Sequence, residues 1–195
     1  MDTIVWILIL LTAFNFLLKQ TFWKPVAVGA AAGIAAIFVI LMWPYAIEQS
    51  KTQIADWLSD NQLMLDTSVV LTLEIVLQMA FCLLAVHVAN YSPVKKCMML
   101  AYRLLYWFPG VLIIPVLFFG LTQAVFSFPG VSFKLIAWFF GAFVFVIIPL
   151  GRWLIKWLLP EEDLRLELFF LMNALVAILG IIATVNGKTA VEGVS

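Results

Sequence analysis

Six long apolar stretches divide the sequence, and short polar connections separate them. A bilayer core of about 30 Å is crossed by about 20 helical residues, because each residue advances an α-helix by about 1.5 Å. The apolar stretches, which have or approach that length, cover residues 3 to 18, 26 to 46, 67 to 89, 109 to 126, 132 to 158 and 162 to 186. The pattern predicts an all-α, polytopic membrane helix bundle with six transmembrane helices.

The composition agrees with this prediction. Hydrophobic residues make up 65% of the 195 residues and charged residues 11%, whereas soluble domains are about half apolar and roughly a quarter charged. Basic and acidic residues number 11 each, so the chain has no excess of positive charge with which to bind nucleic acid. The longest polar stretch, residues 47 to 66, is a connection, and we interpret residues 1 to 195 as a single transmembrane domain.

The distribution of basic residues predicts the orientation. Eight of them fall on the first, third and fifth connections and three on the other side of the membrane. The two groups are Lys19, Lys24, Lys95, Lys96, Arg103, Arg152, Lys156 and Arg165, against Lys51, Lys134 and Lys188. Because cytoplasmic loops are enriched in Lys and Arg, we expect both termini on the non-cytoplasmic side of a bacterial inner (plasma) membrane.

Two connections have patterns that predict surface helices. In the acidic outer connection, a capping-box pattern at 50–53 precedes apolar residues at helical spacing, which predicts a short amphipathic helix over about 50–60. We expect this helix to close the end of the bundle, with docking of a partner as the alternative. On the inner side, Ser92 followed by Pro93 predicts an interfacial helix over about 93–108.

The fourth apolar stretch begins at Pro109-Gly110. One straight helix from Cys97 to Phe126 would be about 45 Å long, which is too long for a single crossing. A break at Pro109 would separate the interfacial helix from the fourth span. Because Pro115 lies inside this stretch, both a continuous and a broken fourth span stay open.

One acidic residue, Glu74, lies well inside an apolar stretch. Its distance from Thr67 places it about 10 Å into the bilayer core, where an unpaired carboxylate would cost up to a few kcal/mol. We predict a candidate intramembrane polar site that consists of Glu74, Gln78, Asn15 and Asn173, because the three amides come out at similar depths. Glu74 is expected to be protonated, hydrogen-bonded to such an amide, or paired with a group outside the chain.

Catalytic and metal-binding patterns are missing from the sequence. The single histidine, His87, excludes a zinc site with several imidazoles, and about 20 Å of helix separates it from Glu74. Arg165 stands four residues after Glu161, which favours charge compensation at a helix start over a cation site. We therefore predict no catalytic residue, no metal and no cofactor, and a protein that is not an enzyme.

Gly29 and Gly33 form a GxxxG pattern in the second apolar stretch. Small residues at this spacing let two helices approach closely in a membrane. The pattern predicts a tight helix contact, and the neighbouring helix can belong to this chain or to another one.

Charged and aromatic residues alternate at the inner end of the fifth apolar stretch. Arg152 and Lys156 are four residues apart, and so are Trp153 and Trp157. A basic face beside an aromatic face predicts an anchor at the membrane interface. Recognition of an anionic lipid head group is the alternative interpretation.

Two functional hypotheses follow from these patterns. The first is a non-catalytic integral membrane subunit, which packs in the lipid bilayer with other membrane protein subunits or with copies of itself. The alternative is a small secondary carrier or ion-conducting protein that uses the Glu74/Gln78 polar stripe.

Overall fold

The computed structural model describes residues 2–48, 61–90, 95–128 and 130–192. Within these ranges the chain forms α-helices and the turns that join them, without a strand. The helices are α1 (Asp2–Gln20), α2 (Pro25–Leu41), α3 (Trp43–Glu48), α4 (Asn61–Asn90), α5 (Lys96–Trp107), α6 (Ile113–Ser127), α7 (Phe133–Leu158) and α8 (Glu162–Glu192). The all-α class is therefore confirmed for the described part of the chain.

Three helical segments are long and apolar enough to cross a membrane by length and composition. They are Thr67–Asn90, Phe133–Leu158 and Glu162–Ile182. Shorter apolar helices cover Trp6–Gln20, Pro25–Leu41 and Ile113–Ser127. Each of the six segments overlaps one predicted apolar stretch, and the three long ones make the chain compatible with a membrane protein.

One of the two predicted surface helices falls within the described residues. The helix predicted over about 93–108 is present as α5, although Ser92 and Pro93 lie outside the described residues. None of the α5 side chains is fully buried, as an interfacial position requires. The outer amphipathic helix predicted over about 50–60 also lies outside the described residues.

The second apolar stretch is not one continuous helix. It forms α2, which ends at Leu41, and the short α3, which begins at Trp43. Pro44 explains the interruption, because it lacks an amide hydrogen and its ring clashes with the carbonyl one turn earlier. The Met42 amide donates to the Phe38 oxygen and closes the last turn of α2.

Two groups of helices pack on either side of α1. The most extensive contacts are those of α2 with α7 and of α4 with α8, and α1 touches α6, α7 and α8. The first core includes Val39 of α2, Leu121 of α6 and Val144 of α7. The second core joins Phe81 of α4 to Phe169 of α8.

Small residues bring α2 and α7 together, but at a different position from the predicted one. A Cβ on Gly141 of α7 would stand 2.9 Å from the Ile40 side chain and 3.3 Å from the Ala36 oxygen of α2. A Cβ on Gly29 or Gly33 would meet nothing within 4 Å. The GxxxG pattern therefore has open space beside it in this chain, and a contact with another chain stays a prediction.

One end of the bundle collects fully or partly buried cations. The turn from α1 to α2 meets the end of α7 and the beginning of α8 there, and we call it the basic end. Lys19, Arg152 and Arg165 lie at the basic end, whereas Lys134 lies at the opposite end of α7.

Candidate functional site

The Glu74 carboxylate binds the backbone just before α6. Glu74 is buried within α4, about 10 Å along the helix from Thr67 and about 24 Å from Asn90. The Val111 amide donates to Glu74 Oε2 at 2.6 Å and the Leu112 amide at 2.7 Å. The partners of the buried acid are therefore backbone amides, whereas the sequence suggested an amide side chain, a bound proton or an external group.

The position of these amides explains why an acid stands opposite them. They precede the first turn of α6, where backbone N–H groups have no partner inside the helix and the helix dipole favours negative charge. Non-helical backbone is tolerated inside a membrane only where other protein groups satisfy it. The Glu74 carboxylate supplies two of those hydrogen bonds, so it holds the start of α6 against α4.

Gly110 makes this contact sterically feasible. Its φ is +99°, a conformation that other residues adopt only with strain. A Cβ at this position would stand 2.5 Å from Glu74 Oε1 and 3.2 Å from Gln78 Nε2. The predicted break at Pro109-Gly110 is present, because α5 ends at Trp107 and α6 begins only at Ile113.

Gln78 lies one turn from Glu74 and also faces Gly110. It is 3% exposed, and its Oε1 atom has no hydrogen-bond partner. A buried acceptor without a partner costs about 1–3 kcal/mol. The Gln78 oxygen could therefore receive a hydrogen bond from a bound molecule.

Asn15 and Asn173 form a separate pair that joins α1 to α8. Asn15 Nδ2 donates to Asn173 Oδ1 at 2.8 Å, and Asn173 Nδ2 donates to the Phe169 oxygen at 2.7 Å. Among the described residues, no hydrogen bond connects this pair to Glu74 or Gln78. The four predicted residues thus form two pairs, and only Glu74 and Gln78 lie beside the helix break.

Lys19 is fully buried at the end of α1. Its Nζ donates to the Leu105 oxygen at 3.0 Å, and the same atom lies 3.0 Å from the centroid of the Phe81 ring and 5.6 Å from that of Phe169. A cation over the face of an aromatic ring is attracted by the quadrupole of the ring. Within the described part of the chain Lys19 has no acidic partner, so a carbonyl and two rings replace its hydration.

Arg152 and Arg165 lie beside the turn between α1 and α2. Arg152 Nη2 donates to the Trp23 oxygen at 3.0 Å. Arg165 Nη1 donates to the Leu159 and Pro160 oxygens, each at 2.7 Å, and the guanidinium carbon lies 6.0 Å from the centroid of the Phe22 ring. Arg165 thus binds carbonyl groups just after the end of α7, where the helix dipole favours positive charge.

The charge compensation expected at the start of α8 does not include a side-chain contact between Arg165 and Glu161. Arg165 is 5% exposed, whereas Glu161 is exposed, and no hydrogen bond joins their side chains. The i, i+4 spacing favours such a pair only where both side chains lie on the helix surface. Burial against Phe22 and the end of α7 directs Arg165 to the backbone.

Reciprocal hydrogen bonds fix α5 to the turn after α1. Trp23 Nε1 donates to the Tyr106 oxygen, and the Tyr106 hydroxyl donates to the Phe22 oxygen, both at 2.7 Å. Burial raises the pKa of the Tyr106 phenol, and the negative charge of Glu162 raises it further. The hydroxyl therefore keeps the proton that it donates.

The predicted interface anchor divides into a polar and an apolar part. Trp153 is 61% exposed and Trp157 is 70% exposed, so both rings lie on the outside of α7. Arg152 and Lys156 are partly buried, and Arg152 points to the turn at Trp23. This places the cations beside the exposed rings, as an interface anchor or a head-group site requires.

The described side chains do not suggest a metal or catalytic centre. Within the described ranges, no three His, Cys, Asp or Glu residues are close enough to hold a metal ion. Cys82 is a buried free thiol and Cys97 is an exposed one. The chemistry of the polar groups is hydrogen bonding to the backbone, which positions helices.

The sequence interpretation did not identify Lys19 or Gln20 as buried residues. Both side chains have 0% exposure, and neither the Oε1 nor the Nε2 atom of Gln20 has a hydrogen-bond partner. A lysine that follows an apolar stretch is expected on a connection at the membrane surface. The neighbouring sequence holds no signal of this burial, because the rings that enclose Lys19 belong to Phe81 of α4 and Phe169 of α8.

Comparison of this chain with family models, with curated proteins and with solved structures finds no match.

Proposed function

We propose that this protein is a non-catalytic integral membrane subunit that packs with partner membrane proteins, or with copies of itself, in a larger complex. In this proposal six apolar segments cross a bacterial inner (plasma) membrane and both termini lie on the non-cytoplasmic side. The basic end then faces the cytoplasm, in agreement with the distribution of Lys and Arg.

The observation that carries the proposal is the bonding of Glu74. A coupling carboxylate in a carrier has to exchange its ligand during transport. Both of the backbone amides at the start of α6 donate to the same Glu74 oxygen. Glu74 is therefore hydrogen-bonded to the backbone that it holds in place, which favours a subunit over a carrier.

The exposed face of α2 supports the proposal and indicates where a partner would pack. Val26, Ile34 and Ile37 are 86%, 69% and 59% exposed. Gly29 and Gly33 lie beside them with open space at their Cβ positions. A helix from another chain could approach this face closely, because small residues permit backbone contact in lipid.

Purification of the tagged full-length protein from its native membranes in a mild detergent tests the proposal. We expect partner chains, or a defined homo-oligomer, in stoichiometric amounts. A monodisperse monomer without any copurifying chain would contradict it.

A photo-crosslinking residue tests the proposed face of α2. Crosslinks from position Ile34 to another chain are expected in intact membranes. Ile178 on α8 is a matched control, because it is also apolar and 56% exposed. Crosslinking at Ile178 alone would move the interface to α8, and no crosslink at Ile34 would exclude the α2 face.

A carrier or ion-conducting protein is the second candidate, and the unpartnered Gln78 oxygen beside Glu74 is the observation that favours it. Broken helices at transporter binding sites present similar polar groups to a bound ion or proton. Ion flux into liposomes containing the purified protein alone, abolished by Glu74→Gln, would support this candidate over the subunit.

A further inference from the structure

The two arginine side chains at the basic end bind backbone oxygens in the described part of the chain. Among the described residues, neither Arg152 nor Arg165 forms an ion pair, and their side chains donate to backbone oxygens. The acidic residues at the start of α8 are exposed. Burial of a charge is unfavourable unless a partner compensates it, so an external anion at this end of the bundle would compensate these charges.

Three cations act on one another there. Among the described residues, Arg152 and Arg165 repel the Lys156 ammonium and Glu162 attracts it. Both guanidinium groups lie at the Phe22–Trp23 turn. We call Arg152, Lys156 and Arg165 the basic cluster, and its net charge favours a bound anion.

Unused donors lie in the same region. The Nε atoms of Arg152 and Arg165 are buried without a hydrogen-bond partner. The Gln20 amide, three residues before Trp23, is fully buried and also unpartnered. Guanidinium groups are well suited to phosphate, because they present several N–H donors in one plane.

The surroundings of the basic cluster are those of a lipid interface. Trp153 and Trp157 expose most of their ring surface on α7 next to Arg152 and Lys156, and Leu158 is 68% exposed. Tryptophan rings prefer the head-group level of a membrane. A ligand that reaches the cluster from this side would carry an acyl chain along α7 and a negative charge at its head.

We propose that the basic cluster binds the phosphate of an anionic phospholipid, with the acyl chains against the Trp153/Trp157 face of α7. The site is independent of the subunit and carrier functions. It adds Arg165 to the head-group alternative that the sequence suggested for Arg152 and Lys156.

Native mass spectrometry of the full-length protein in detergent tests the proposal with phosphatidylglycerol and phosphatidylcholine as probes. Lys156→Gln is the principal variant, because no hydrogen bond of Lys156 to the rest of the described chain would be lost. Lys134→Gln is the matched control, since it removes an exposed lysine from the opposite end of the same helix.

Phosphatidylglycerol is expected to bind the unaltered protein in preference to phosphatidylcholine. Each cation removed should weaken phosphatidylglycerol binding about fivefold, which corresponds to about 1 kcal/mol per basic residue. Lys156→Gln and Arg152→Gln should show this loss, whereas Lys134→Gln should bind like the unaltered protein. A thermal unfolding curve in lipid-free detergent shows whether each variant is folded.

Four results would overturn the proposal. The first is unchanged phosphatidylglycerol binding in folded Lys156→Gln and Arg152→Gln, and the second is equal loss in Lys134→Gln. The third is full displacement of phosphatidylglycerol by millimolar inorganic phosphate, which would indicate a free-anion site. The fourth is no preference over phosphatidylcholine while an acidic partner chain copurifies, which would assign the cluster to that partner.

Discussion

Glu74 of α4 and Gly110 of the non-helical segment before α6 are in such close contact that a Cβ on Gly110 would stand 2.5 Å from the carboxylate oxygen Oε1. The other oxygen of the same carboxylate accepts hydrogen bonds from the next two backbone amides, those of Val111 and Leu112. The acid and the glycine thus form one structural unit that anchors the start of α6 to α4.

Gly110→Ala should destabilise the protein for two reasons. The φ of +99° costs an L-residue roughly 1–2 kcal/mol, and the clash with Glu74 should add about 1–3 kcal/mol. Gly130→Ala is the matched control, because its φ is +96° but a Cβ there meets nothing within 4 Å. Thermal unfolding in detergent measures the stability of both variants. Equal losses of stability would mean that the contact with Glu74 does not contribute to the cost of Gly110→Ala.

Substitutions of Glu74 distinguish hydrogen bonding from charge. Glu74→Gln keeps an acceptor oxygen, so we expect expression and assembly to change little. Glu74→Leu leaves the Val111 and Leu112 amides without their acceptor and should cost about 1–3 kcal/mol for each. A folded and assembled Glu74→Gln protein that has lost its activity would contradict the structural role.

The Asn15–Asn173 hydrogen bond should contribute modestly to the contact between α1 and α8. A double-mutant cycle with Asn15→Leu and Asn173→Leu is expected to give a coupling energy of about 0.5–1.5 kcal/mol, as for other hydrogen bonds between membrane helices. Unfolding free energies of the four proteins provide the measurement. Strictly additive losses would show that the bond is replaced by other contacts when it is absent.

Lys19 should tolerate an apolar replacement better than a larger cation. Lys19→Met keeps the length of the side chain, and the Leu105 oxygen keeps the hydrogen bond from the Phe108 amide, so a change of less than about 1 kcal/mol is expected. Lys19→Arg introduces a larger head group between Leu105 and Phe81 and should destabilise by about 1–3 kcal/mol. If Lys19→Met unfolds the protein while Lys19→Arg does not, the positive charge is essential.

Thiol labelling tests exposure and orientation separately. In detergent, Cys97 should react readily and Cys82 only after denaturation, because Cys97 is exposed and Cys82 is buried. In intact cells, cysteines introduced at Ser50 and Ser195 should react with an impermeant reagent, whereas Cys97 should not. Labelling of Cys97 alone would invert the proposed topology.

The sequence by itself determined the positions of the main helices. Apolar length predicts the segments that became α1, α4, α7 and α8, because a helix satisfies its own backbone hydrogen bonds and needs only continuous apolar sequence. Helix length also predicted the interruption at Pro109-Gly110. The interruption at Met42 follows from the effect of Pro44 on a helix. The prediction from apolar length did not include it, because the apolar sequence continues through this position.

Only the tertiary structure decided the partners of the polar side chains. Glu74 meets amides 37 and 38 positions later in the chain, and Lys19 meets an oxygen 86 positions away. Such contacts depend on which helices pack together and at which depth the chain turns. Neither can be read from the periodicity of apolar residues in the sequence. A carboxylate that looked unpaired in the sequence is therefore bonded to backbone, while a lysine that looked solvent-exposed is enclosed by aromatic rings.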